Sequence, residues 1–131
     1  MALSRVAAQQ AAEIKQHDWS DAPYRADKAG HDRSMDGRQA SSEQLTPDQV
    51  VRLKMNVAWV TAQVLAYNDP NFSEHEYFQA CGLESRNSNG RPSATVTYGL
   101  RHGPAADGSG TRRFQIPGTY RFDEPETPPT A

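Results

Sequence analysis

Apolar side chains are densest between Val50 and Leu65. Val50, Leu53, Val57, Val60, Thr61 and Val64 recur at helical spacing, and Val51, Met55, Ala58, Ala62 and Leu65 widen the stripe. No charge falls between Lys54 and Asp69. A helix apolar almost all round is expected to be the buried centre of its domain. Its start is written locally. Thr46-Pro47-Asp48-Gln49 is a capping box with Pro at the first helical position, and Leu45 and Val50 are placed to staple it. Asn68-Asp69-Pro70 ends it.

Three further elements follow from pattern. Leu3, Val6, Ala7, Gln10 and Ile14 share one face of an expected N-terminal helix, residues 1–17, whose narrow apolar stripe needs a partner surface. Ser73-Glu74-His75-Glu76 is a second capping box with Phe72 and Tyr77 as its staple. Gly82 and Leu83 supply a left-handed stop with a closing contact to Phe78, so a short helix is specified from Glu74 to Cys81. Val96, Tyr98 and Leu100 alternate with Thr95, Thr97 and Gly99, which predicts a half-buried strand. Phe114, Ile116, Tyr120 and Phe122 continue the alternation across Pro117-Gly118, predicting a second, kinked edge strand and hence an antiparallel hairpin.

Between these elements the periodicity lapses. Residues 18–44 mix Asp18, Asp21, Asp27, Asp32 and Asp36 with Arg25, Lys28, Arg33 and Arg38, and read as a flexible charged arm. Trp19 and Tyr24 are its large apolar groups, available to anchor on the core or to meet a partner. Residues 123–131 read as a disordered acidic, Pro-rich tail. The expected fold class is therefore α+β: an N-terminal helix, then an α+β core over residues 45–122 with a buried central helix, a short capped helix and a C-terminal β-hairpin.

Composition narrows the function. The hydrophobic fraction of 36%, with nine Gly and nine Pro, implies a modest core. A net charge of −2 gives no global attraction to nucleic acid or anionic membrane. One cysteine excludes an intrachain disulfide and offers nothing toward a multi-cysteine zinc site. The first residues lack the apolar stretch of an export signal, and no run approaches membrane-spanning length, so a cytoplasmic setting without membrane contact is expected.

Candidate chemistry is sparse. His75-Glu76-Tyr77-Phe78-Gln79 falls one residue short of the zinc-protease pattern, because Gln79 replaces the second imidazole. Cys81 lies at the C-terminal end of its helix, where the dipole opposes a thiolate, and reads as a packing group. His17-Asp18 and His31-Asp32 fall at or within the unpatterned arm and are expected to be solvated. No catalytic residues, metal or cofactor are expected. Charge is asymmetric, however. From Arg86 to Arg121 there are six arginines and one acid, Asp107, interleaved with Tyr98, Phe114 and Tyr120. Strand parity sets Arg101, Arg113 and Arg121 opposite the apolar face.

The expected function is that of a small non-enzymatic binding protein: a regulator, inhibitor or assembly component. It would meet a macromolecular partner through Arg101, Arg112, Arg113 and Arg121, with Trp19, Tyr24 and Arg25 of the arm as further contacts. A protein partner is at least as well supported as nucleic acid. A nucleic-acid-binding accessory protein is the alternative, and an enzyme the remote third.

The stretch Asn68–Gly82 resembles a segment of small, mostly uncharacterised proteins of actinobacteria and their phages. There an Asn-Pro or Asp-Pro turn and a Phe precede a capped helix that closes on Ala-Cys-Gly. The matching positions are Asp69, Pro70, Phe72, Phe78, Ala80, Cys81 and Gly82, and the departure is Ser73-Glu74 in place of an Asp-Arg pair. The resemblance implies a phage or mobile-element origin and brings no active site.

Overall fold

The computed structural model describes residues 3–36, 43–104 and 111–123. The stretch 37–42 and the tail residues 124–131, for which flexibility is expected, lie outside the described residues, as do residues 1–2 and 105–110. Helices α1 (Arg5–Gln16), α2 (Pro47–Asn68), α3 (Glu74–Ala80) and α4 (Ala94–Tyr98) precede strands β1 (His102–Pro104) and β2 (Arg112–Phe114). The two strands pair antiparallel, His102 opposite Phe114 and Pro104 opposite Arg112. The protein is a small α+β domain.

The locally written elements form as expected. The Thr46 hydroxyl accepts from the Gln49 N–H and the Gln49 side chain accepts from the Thr46 N–H, so both halves of the first capping box are made. The Ser73 hydroxyl accepts from the Glu76 N–H at 3.2 Å, and the Phe72 and Tyr77 rings meet at 5.4 Å. At the other end of α3, the Leu83 N–H donates to the Phe78 carbonyl while Gly82 takes φ +83°. This Schellman closure suits glycine because a Cβ is disfavoured there.

Helix α2 is central, touching α1, α3 and β2, but it is buried on one stripe only. That stripe is Ala58, Ala62 and Ala66 with Gln63, whereas Val60 is 71% exposed and Val64 and Val51 are exposed as well. The expectation of burial all round is therefore corrected. The partners α1 and α3 are short and approach closely over alanine, and no described element covers the valine side. Small residues let backbones come near; the large apolar volume of the core comes instead from Tyr77 and Phe78 of α3, with Val96, Leu100 and Ile14.

The strand expected over residues 95–100 is also corrected: residues 94–98 form α4. Val96 and Leu100 are buried while Tyr98 between them is 77% exposed, which is a helical and not an alternating outcome. The first strand moves toward the C-terminus, to 102–104, and the second lies earlier than expected, at 112–114. Trp59 fixes this arrangement. Its indole N–H donates to the Val96 carbonyl at 3.0 Å, and its ring lies so close to Gly99 that a Cβ there would be 2.0 Å away.

The second strand does not continue through Pro117. Thr119 N–H donates to the Ile116 carbonyl, and Gly118 takes φ +79°, a tight turn of the Pro-Gly kind. The chain doubles back, Ile116 N–H donates to the Arg121 carbonyl, and Phe122 lands over Gly103.

Residues 18–36 take a defined course of two 3-10 turns, Ala22–Tyr24 and Arg33–Met35. Polar contacts carry it: Asp18 N–H donates to the His31 carbonyl, and the Asp18 carboxylate accepts from the Ser20 and Arg33 N–H groups. No hydrophobic period marks such a segment, because side-chain hydrogen bonds stand in for apolar burial.

Candidate functional site

Gln63 positions the region where α2 meets the hairpin. Its amide donates to the Arg101 and Gln115 carbonyls and its oxygen accepts from the Arg101 N–H at 2.8 Å, so one buried side chain stitches both strand ends to the helix. Beyond this stitch, Val60, Val64, Arg101 and the Pro117–Tyr120 turn line an open groove of about 310 Å³. Tyr120 at its rim is 85% exposed. The Arg101 guanidinium lies 5.7 Å from the Tyr120 ring centre and gives its Nε–H to Gln115, leaving its terminal nitrogens without a partner among the described residues.

The four hairpin arginines do not share one outer face. Arg112 points inward and holds buried Glu74 by two hydrogen bonds of 3.0 and 2.8 Å, with its guanidinium 4.7 Å from the Phe114 ring centre. Burial pushes the Glu74 carboxyl up. The Arg112 hydrogen bonds, a backbone N–H and the Arg112 charge outweigh it, leaving the group below its ordinary value. Arg113 stacks 4.1 Å over Phe122 and donates to the Pro104 carbonyl. Arg101 borders the groove, and Arg121 is exposed on the segment that doubles back after the turn. Arg112 therefore belongs to the scaffold, Arg113 is half committed, and Arg101 and Arg121 remain available.

The arm residues separate similarly. Trp19 is an anchor: its indole N–H donates to the Ile14 carbonyl and its ring rests 4.4 Å from that of His17. Tyr24 is 46% exposed. Arg25 pairs with Asp27 at 2.8 Å and Asp36 at 3.0 Å.

The arm holds one arrangement that sequence reasoning missed. His31 is buried, not solvated, and faces carboxylates: its Nε2 lies 3.1 Å from Asp21, 3.5 Å from Asp27 and 3.8 Å from Asp36. Asp21, Asp27 and His31 are a group whose donor atoms could hold a metal ion. The signal was the spacing of Asp21, Asp27, His31 and Asp36, hidden because acids at such spacing are common on solvated loops.

Two titratable groups, Tyr77 of α3 and Cys81 at its C-cap, are held in their protonated forms. Burial pushes Tyr77 to about 12, against a hydrogen bond with Thr61, and pushes the Cys81 thiol to about 11. His75, the remnant of the zinc-protease pattern, turns its Nε2 to the Ser93 carbonyl at 2.9 Å and ties α3 to the start of α4.

No helix among the described residues is long and apolar enough to cross a membrane. Comparison with known proteins finds no matching family model, no matching curated protein and no matching solved structure.

Proposed function

We propose that this chain is a non-enzymatic binding protein that engages a partner protein at the groove between α2 and the hairpin. The observation that carries the reading is the pairing of exposed apolar groups with an open guanidinium. Val60 and Tyr120 flank the groove, and Arg101 lies in its wall. Aromatic and arginine side chains around an apolar depression are the composition of protein-binding hot spots. Arg101 and Arg121 favour a partner segment that carries a carboxylate beside an apolar side chain. A nucleic-acid partner is favoured less, because Arg112 is spent on Glu74, Arg113 is partly engaged by Phe122 and the Pro104 carbonyl, and few cations remain for phosphates.

The test is affinity capture from the source organism with the native chain, Val60→Asp/Tyr120→Ser and Arg101→Glu/Arg121→Glu, followed by identification of the bound species. Both double variants are expected to lose a protein that the native chain retains. Retention of every captured protein by both variants would overturn the reading. Capture of nucleic acid with steep loss between low and moderate salt would replace it with the alternative. Arg112 is left intact, since its removal strips Glu74 of its counter-charge.

A further inference from the structure

We propose that Asp21, Asp27 and His31 form a binding site for a first-row divalent cation of the zinc or manganese type, with Asp36 at its edge. The site is separate from the α2–hairpin groove. The first ground is spacing. Ligands about 2.0–2.2 Å from such an ion sit roughly 3.0–3.5 Å from one another. His31 Nε2 lies 3.1 Å from an Asp21 oxygen and 3.5 Å from Asp27 Oδ2, and the three donor atoms all fall within 4.8 Å of one another.

The second ground is an orphaned atom. The Asp27 side chain is 9% exposed, and its Oδ2, turned toward His31, is buried without a hydrogen-bond donor. A buried carboxylate oxygen with no donor is unfavourable, and a cation satisfies it directly. Its other oxygen is held by Arg25 at 2.8 Å, the outer-sphere contact that orients a ligating carboxylate. Asp21 is wholly buried and His31 nearly so, so the donor set is fixed by packing and not by chance at a surface.

A third ground is access and charge. A cavity of about 530 Å³ lined by Asp27, Gly30, His31, Met35 and Asp36 opens onto the cluster. Around the cluster and its cavity four carboxylates, Asp21, Asp27, Asp32 and Asp36, stand against three cations, Arg25, Lys28 and Arg33, which leaves negative charge for a cation to neutralise. The class of ion follows from the donors. An imidazole nitrogen among carboxylates suits zinc or manganese over calcium or magnesium, which take oxygen sets.

The test is calorimetry on the untagged, chelator-treated full chain with zinc, manganese, calcium and magnesium chlorides. Zinc or manganese is expected to bind at one equivalent, with calcium and magnesium weaker. Asp27→Asn and His31→Gln are each expected to weaken that binding at least tenfold while keeping the helical circular dichroism of the native chain. No saturable binding of zinc or manganese up to millimolar ion, or unchanged affinity in both variants, would overturn the proposal. Should either variant fail to fold, manganese broadening of histidine ring resonances in the native chain decides it. His31 must broaden before His75 and His102, and the reverse order overturns the proposal.

Discussion

Glu74 carries two tasks in one residue. It opens α3, where a negative charge suits the helix dipole, and it is buried under the Arg112 fork that fastens the hairpin to that helix. Its folded carboxyl lies below the ordinary value of 4.5, so the contribution is complete above that pH and is lost as pH falls through the lower folded value. Glu74→Gln is expected to cost about 2 kcal/mol at pH 7, and the gap to the native chain should narrow as pH drops below 4.5. Urea unfolding along a descending pH series checks both parts; a gap that widens in acid would be wrong in sign. Gly99 makes a steric case instead. With Trp59 Cε2 and Nε1 each 2.0 Å from any added Cβ, Gly99→Ala must displace the ring and break its bond to Val96. A loss of about 1–3 kcal/mol with a red-shifted tryptophan emission is expected.

The elements divide by how locally they are specified. Helices α2 and α3 were legible because Thr46, Gln49, Ser73 and Gly82 make their capping contacts within a few residues, and such contacts survive any tertiary setting. α4 was not. Val96 and Leu100 fit both an alternating strand and an i, i+4 helical pair, and only Tyr98 separates the two readings by its burial, which the sequence does not print. The deciding partner, Trp59, is 37 residues from Val96. The buried face of α2 was misplaced for a related reason: hydrophobicity favours the valines, whereas close approach of α1 and α3 selects the alanines. Gln63 is the sharpest instance, a polar residue in the buried stripe whose three hydrogen bonds reach across to the hairpin. Gln63→Ala leaves the Arg101 N–H and the Gln115 carbonyl without their partner, while the Arg101 carbonyl keeps the Gln115 N–H, and is expected to cost about 2–3 kcal/mol. Val60→Lys, one turn away on the exposed face, should stay within about 0.5 kcal/mol of the native chain. Equal costs in chemical denaturation would contradict the assignment of the two faces.

At the scale of the whole molecule, the candidate sites lie where sequence pattern was weakest. The His31 cluster is assembled from a segment without hydrophobic period, and the groove is bounded by a Pro-Gly turn that reads from sequence as a strand kink. What ties the arm to the core is α1, which packs on α3 and α2 and anchors Trp19 at its end, whereas Gln63 ties the groove to α2. Ala7, Ala11 and Ile14 join the same core as Tyr77, Phe78 and Cys81, and the Lys15 stem approaches Gly82. Cys81 therefore reports on whether α1 stays seated. Its thiol is fully buried and pushed up to about 11, so at pH 8 it should label with a thiol reagent only through opening of the protein. Ala11→Asp drives an unpaired charge into the contact of α1 with α3, and α1 meets the remainder chiefly through small residues. Labelling in this variant should accelerate far more than its global stability falls, with Trp59 emission, read in a Trp19→Phe background because Trp19 bonds to α1, still native since its own bond joins α2 to α4. If labelling instead tracks global unfolding alone, α1 is not a separable cover, and the arm, the helix and the hairpin open as one cooperative unit.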